Sequence, residues 1–155
     1  RSIHKKYKNK NLYESLSAYG VGFHRHNSEI GQFLNKLTKT NISFVFTPHL
    51  TPMFRGTLST IYVDLNKRTT IKNLYNEFVN FYKNSSFVKI CNINTMLNTN
   101  DVINTNNCEI SVCESKFKDK AIILSTVDNL IKGGAGQAVQ NMNILKGFKE
   151  YQGLK

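Results

Sequence analysis

Apolar residues recur at Ile30, Phe33, Leu34 and Leu37, the spacing of one face of a helix. Ser28, just ahead of them, fits an N-cap. A second stripe, Ile71, Leu74, Tyr75, Phe78 and Tyr82, follows Thr70 and predicts another capped helix. Between the two the period drops to two. Ile42, Phe44 and Phe46 alternate with Ser43, Val45 and Thr47, which predicts a strand over residues 42–50. Residues 56–65 and 87–91 read as further strands. Residues 108–113 and 121–127 pair as a hairpin around residues 117–120. Residues 92–107 are polar and loop-like, 133–136 are glycine-rich, and 137–145 continue as a helix. Residues 12–21 read as an irregular strand that delivers a loop, and residues 1–11 as a polar, basic arm.

This order of elements predicts an α+β fold, with a mostly antiparallel or mixed sheet carrying helices on one face. The chain shows no internal repeat and no domain boundary beyond the arm. Its 155 residues are enough for one domain with a hydrophobic core. Gly133-Gly134-Ala135-Gly136 is not the GxGxxG fingerprint and lies too near the C-terminus to open a nucleotide-binding unit.

Composition narrows the partners. Formal net charge is +11, from 21 Lys+Arg against 10 Asp+Glu. Such an excess suits either a nucleic-acid surface or an anionic small substrate on a lysine-rich background. The lysines beyond the arm are scattered, and no nucleic-acid motif or arginine-rich helix is present, so no nucleic-acid partner is expected. No apolar run reaches the length of a membrane span. Three cysteines, an odd count without CxxC, argue against a disulfide framework or a zinc site and for a reducing cytoplasm.

Candidate chemistry gathers at His24-Arg25-His26, in the turn ahead of the first helix, where backbone N–H groups favour anions. In an extended segment His24 and His26 point to opposite sides, one toward substrate and one supporting the loop. Histidine suits general acid–base work near neutral pH. A metal would need a third ligand such as Glu29 or His49, at no recognised spacing, so none is expected. Pro48 and Pro52 bracket a stiff turn with His49 and Met53, which fixes Arg55-Gly56 behind it. Arg25 and Arg55 offer planar forks for carboxylate or phosphate. Cys91, Cys108 and Cys113 sit among apolar neighbours on predicted strands, where a thiol behaves as a small hydrophobe. None is expected to be a nucleophile.

Four segments together carry a family resemblance. They are AYGVGFHRHNSEI at residues 18–30, FTPHLTPMFRGTL at 46–58, VDNLIKGGAGQAVQNMN at 127–143 and GFKEYQGL at 147–154. In order and spacing they resemble the C-terminal half of N-acetyl-γ-glutamyl-phosphate reductases, arginine-pathway members of the semialdehyde dehydrogenase family. The chain departs from that pattern in residues 98–110, where the family has a proline, a glycine near Asn104 and a tyrosine in place of Asn107.

The resemblance implies a fold like the C-terminal domain of glyceraldehyde-3-phosphate and semialdehyde dehydrogenases. It makes residues 1–155 a substrate-binding and dimerisation domain, with the nucleotide-binding domain and the nucleophilic cysteine lying before residue 1. In such enzymes the cysteine displaces phosphate from an acyl phosphate, and NADPH reduces the thioester to the semialdehyde. His24 matches the catalytic histidine. Tyr19, Arg25, His26, Glu29 and Arg55 fall on the substrate side. Gly133, Ala135, Gly136, Gln137 and Asn141 resemble the segment facing the nicotinamide of NADP. A homo-oligomer, dimer or tetramer, is implied, and inactivity of the chain alone. Two other readings stand beside this one: an aminoadipyl-phosphate reductase of lysine synthesis, and a stand-alone oligomerisation module without catalysis.

Overall fold

The computed structural model describes residues 14–155, so the basic arm lies outside the described residues. The chain divides into two compact units, Arg1–Phe54 and Arg55–Lys155.

In the first unit, strand β1 (Ser17–Ala18) runs antiparallel to β2 (His49–Leu50), with Ser17 opposite Leu50. The Tyr19 amide extends the pairing by donating to the Pro48 carbonyl at 3.1 Å. Helix α1 spans His26–Thr38. It starts two residues before Ser28, with Arg25 at the cap position and no side-chain cap. Ser28 lies inside the first turn, where its hydroxyl donates to the Arg25 carbonyl at 2.9 Å. A tight turn pulls the helix start forward. The Phe23 amide donates to the Gly20 carbonyl at 3.0 Å, the Asn27 amide to the His24 carbonyl at 2.8 Å, and the Asn27 side chain to the Gly22 carbonyl at 2.9 Å. The apolar stripe of α1 is only half covered: Ile30 and Leu34 are half-buried, while Phe33 and Leu37 are exposed.

Residues 42–47 depart from expectation. They keep the alternation, with Phe44 and Phe46 half-buried and Val45 exposed, but they join no ladder. Period two reports which side chains face inward and not whether a partner strand exists. Here α1 supplies the ties instead. The Ile42 amide donates to Asn35 Oδ1 at 2.9 Å, and Phe44 packs against Gly31.

The second unit is a four-stranded sheet of β3 (Thr57–Asp64), β4 (Val88–Ile90), β5 (Cys108–Glu114) and β6 (Lys120–Val127), in the order β3-β6-β5-β4. The β3–β6 and β5–β6 pairs are antiparallel and β4–β5 is parallel. The sheet is therefore mixed, and the fold is α+β. Phe87, Val102, Ile110, Val112, Cys113 and Ala121 form the buried core. Helix α2 (Ile71–Tyr82) packs on β4 and β5. Its five stripe residues are half-buried, whereas Lys72, Asn73, Asn76 and Glu77 are exposed. Thr70 caps it in a full capping box, with the Asn73 amide 3.1 Å from the threonine hydroxyl. A wide turn, Ile131–Ala135, then leads into helix α3 (Gly136–Leu145).

Candidate active site

His24 stands at the end of the Gly20–Phe23 turn, half-buried. Three rings meet it edge-on: Tyr19 at 5.3 Å, His26 at 4.7 Å and Phe46 at 5.5 Å between centroids. The β1–β2 pairing brings this about, because it sets residues 18–19 beside residues 48–49. His26 donates its amide to His24 Nδ1 at 3.3 Å. The two histidines therefore do not point to opposite sides. The chain here is a turn entering a helix, not an extended segment, so their rings touch. His26 Nε2 also lies 3.8 Å from a carboxylate oxygen of Glu29, one turn along α1. Arg25 is exposed at the helix start, and its guanidinium makes no hydrogen bond or ion pair among the described residues. His49 is exposed on β2. Among the described residues no three of His, Cys, Asp and Glu gather to hold a metal ion.

In the second unit, Arg55 Nη1 donates to Asn104 Oδ1 at 2.8 Å and to Asp128 Oδ2 at 3.2 Å. Asp128 has no exposed surface. Its carboxylate also accepts the backbone amides of Asn104 (2.8 Å), Leu130 (2.8 Å) and Ile131 (3.1 Å). Burial pushes this carboxyl up, but the three amides and Arg55 outweigh it and hold it below the usual carboxylate range.

The glycine-rich turn splits in two. Gly133, Gly134 and Ala135 are exposed, and Gln137 donates to Asn141 Oδ1 at 2.9 Å one turn along α3. Gly136 is buried and faces the other way. A methyl there would run into Asn106 Oδ1, into Ile131 Cγ2 at 2.8 Å and into the Ile131 carbonyl oxygen at 2.9 Å. Its missing side chain lets the backbone pack closely against Asn106 and Ile131. Behind it lies a polar cluster. Asn106 and Lys132 both donate to Gln140 Oε1, at 2.8 and 2.7 Å, and Gln140 donates to Glu150, which also accepts from Ser86. Burial lowers the Lys132 pKa, opposed by Cys108 and Glu150.

The cysteines are free thiols. Cys113 is buried, and Cys108 Sγ lies 3.5 Å from Ser125 Oγ. Burial, then Glu109, pushes the Cys91 thiol up, away from the reactive thiolate.

Residues 1–129 match the family described as semialdehyde dehydrogenase, dimerisation domain. The chain belongs to this family.

As a semialdehyde dehydrogenase dimerisation domain it has curated relatives along its full length. It is 42% identical to an N-acetyl-gamma-glutamyl-phosphate reductase of Staphylococcus aureus over 155 residues, covering 100% of this chain and 45% of the relative. It is 43% identical to the protein of that name from Staphylococcus saprophyticus, covering 91% of this chain and 41% of the relative. The chain thus spans less than half the length of these relatives. Two solved structures share its fold. The aspartate semialdehyde dehydrogenase II of Vibrio cholerae, complexed with ASA, aligns with a TM-score of 0.63 at 15% identity, over 81% of this chain and 38% of that one. The aspartate semialdehyde dehydrogenase of Francisella tularensis aligns at 0.60 and 20% identity, over 77% of this chain and 34% of that one.

Within this dimerisation domain, Asp128, Asn106 and Gln140 were not singled out by sequence reasoning. A buried carboxylate is visible in sequence only as an acidic residue closing an apolar strand, and VDNL at 127–130 held that signal. Asn106 and Gln140 carried none.

Proposed function

We propose that this chain is the substrate-binding and dimerisation part of an NADP-dependent N-acetyl-γ-glutamyl-phosphate reductase of arginine biosynthesis, working in the cytoplasm. The observation that carries the reading is His24, held edge-on by three rings with Nε2 free of any protein partner among the described residues. A histidine so fixed has one nitrogen to offer a reacting group. The curated relatives of that name, alike over the whole chain, support the substrate. Among the described residues no helix is long and apolar enough to cross a membrane.

Each side chain then has a task. His24 holds or moves a proton at Nε2 beside the acyl group. Arg25 is the exposed guanidinium for phosphate or carboxylate. Tyr19 fixes the face of the His24 ring, and Glu29 orients His26 beside it. Arg55 is committed to Asp128 and Asn104, so Arg25 takes precedence for the substrate anion. The cysteines of the sheet unit are buried or half-buried, which supports a nucleophilic thiol supplied by the part of the relatives this chain does not cover. The exposed turn at Gly133, Gly134 and Ala135 carries no side chain larger than a methyl, and the nearest atom to a Cβ on Gly133 lies 3.7 Å away. That open surface, with Gln137 and Asn141 beside it, fits a nicotinamide ring. NADPH, when bound, supplies the hydride.

A homo-oligomer is part of the proposal. The edge strand β3 leaves Leu58 and Tyr62 exposed on one face of the sheet and Ile61 on the other. Such uncovered apolar positions are suited to a second copy.

The test joins this chain to the portion of the Staphylococcus aureus relative that it does not cover. The joined protein is expected to oxidise N-acetylglutamate semialdehyde with NADP and phosphate, and His24→Ala is expected to cost about two to four orders of magnitude in kcat. Full activity of the His24→Ala variant would overturn the reading.

A further inference from the structure

We infer that Gln140 relays between Lys132 and Glu150 and that this relay sets the position of the glycine turn, which makes Lys132 a positioning residue for the cofactor. This rests on the nicotinamide surface proposed above for Gly133, Gly134 and Ala135, and it says what holds that surface in place.

Helix α3 is packed inside out. Gly136, Gln140 and Asn143, at the spacing of one helix face, are its buried residues, while Met142, Ile144 and Leu145 are exposed. Hydrogen bonds therefore hold much of its inner face. The Asn143 side chain donates to the Glu150 and Gln152 carbonyls at 3.1 and 2.9 Å. Gln140 accepts from Lys132 Nζ at 2.7 Å and donates to Glu150 Oε1 at 2.6 Å. Glu150 Oε2 accepts from Ser86 Oγ at 2.8 Å. Ser86 adjoins Phe87, and the Phe87 ring lies 5.5 Å from Lys132 Nζ, within reach of a cation–π contact. The contacts close a circuit that runs from the turn through α3, the C-terminal turn and the start of β4 back to Lys132.

The direction of the Gln140 amide is set by its two ends. An ammonium only donates and a carboxylate only accepts. Turning the amide over would set its NH2 against Lys132 and its oxygen against Glu150. One consequence is visible beside it. Asn106 also donates to Gln140 Oε1, at 2.8 Å, and its own Oδ1 is left buried without a hydrogen-bond partner among the described residues. The charged ends outweigh that loss. Burial lowers the Lys132 pKa, and Cys108 and Glu150 oppose it. The Glu150 carboxyl is held low first by Ser86, with Lys132 among the lesser causes. Lys132 is also the only polar side chain of the Ile131–Ala135 turn. The amides of Gly133 and Ala135 tie the turn back to the Asp128 and Leu130 carbonyls, at 3.0 and 3.1 Å. The Lys132 bond is its side-chain tie to the helix that follows. Without it the turn is free to shift against α3, and the exposed glycines shift with it.

Two measurements test this. Lys132→Met and Glu150→Gln nearly keep the size of each side chain, and both positions are half-buried, so neither substitution empties the core. Urea unfolding of this chain, the two single variants and the double variant forms a cycle. Because the two residues meet through Gln140, the second substitution is expected to cost less once the first is present. The single effects are expected to miss the double one by about fivefold or more in the unfolding equilibrium constant. Independent effects overturn the inference. So does a coupling that disappears in about 1 M salt, where exposed charges no longer act on each other at a distance. In the joined protein, each single variant is expected to raise the KM for NADP roughly three- to thirtyfold, the size of a coupling through a packed network, with kcat within about threefold of the parent. A purely structural role would lower the urea midpoint and leave KM in place, and that result overturns the positioning role of Lys132. A parent joined protein without NADP-dependent turnover overturns the proposed function instead, while the cycle in the chain still decides the relay.

Discussion

Arg55 and Asp128 lie 73 positions apart in the sequence and meet at 3.2 Å, the carboxylate having no exposed surface and the arginine side chain 21%. The pair joins the entry to β3 to the exit from β6, and through Asn104 it also holds the polar loop. Truncation of Asp128 to Ala leaves three backbone amides without their acceptor and removes the ion pair of Arg55. It is expected to cost about 3–5 kcal/mol, the range for a broken buried pair. Arg55→Lys keeps the charge but replaces the planar guanidinium whose Nη1 serves both Asn104 and Asp128. Its expected cost is about 1–2 kcal/mol. Urea unfolding measures both. A fully stable Arg55→Lys chain with KM for the acyl phosphate raised tenfold in the joined protein would return Arg55 to the substrate.

Acid is expected to loosen the sheet unit through two carboxylates. Asp128 is held low despite burial by its amides and Arg55. Glu150 is held low chiefly by Ser86, against burial, with help from Gln140. A folded value below the unfolded one means that the unfolded chain binds protons first as pH falls. The stability these groups contribute is present above about pH 4, the ordinary carboxylate range, and is lost as pH drops through their folded values. Stability measured between pH 7 and pH 3 is expected to fall along this curve. Asp128→Asn and Glu150→Gln variants are expected to flatten it at the expense of stability at pH 7. An unchanged slope in both variants would falsify the assignment.

Gly136 and Gln137 are neighbours with opposite expected phenotypes. Gly136→Ala drives a methyl into Asn106 and the Ile131 backbone and is expected to cost about 1–3 kcal/mol by overpacking. Gln137→Ala removes only an exposed i,i+4 pair with Asn141, worth about 0.2–0.5 kcal/mol. Its effect is expected in the KM for NADP of the joined protein. Thermal melts and cofactor titration separate the two. A Gln137→Ala variant with parent-like KM would remove that side chain from the cofactor surface.

Thr70→Ala removes both halves of the α2 capping box. The expected loss is about 1 kcal/mol, seen in urea unfolding. Thr70→Ser, which keeps the acceptor, is expected to restore most of it.

Much of the sheet unit was legible because its signals are local. The stripe from Ile71 to Tyr82 settles one face of α2, and Thr70 marks its start. Strands β3, β5 and β6 are short apolar runs bounded by polar turns, and each forms about where its run lies. The first unit was less so. Phe44 and Phe46 alternate like strand residues, but what satisfies their stretch of backbone is a helix side chain, Asn35, and nothing at 42–47 announces it. Ser28 was misplaced as a cap because the turn at Gly20–Phe23 and the bonds of Asn27 start the helix earlier. The contact of the His24 and His26 rings follows from that turn and from no spacing rule. The pairing of Arg55 with Asp128 is not legible in the sequence, because only the closing of the sheet brings the two together.

The strand order has a kinetic corollary. Strand β5 can zip to β6 across a short reversal, but β3 must find β6 across the intervening chain, Asp64 being 56 positions from Lys120 where their side chains pair. Closing so long a segment costs entropy before any ladder bond repays it. The β5–β6 hairpin is thus the natural seed, and β3 is the late arrival. Because β3 is also the edge that carries exposed Leu58 and Tyr62, the apolar rim proposed above for a second copy is assembled only when the rest of the sheet is in place. Until then a nascent chain exposes no complete docking edge to another copy of itself.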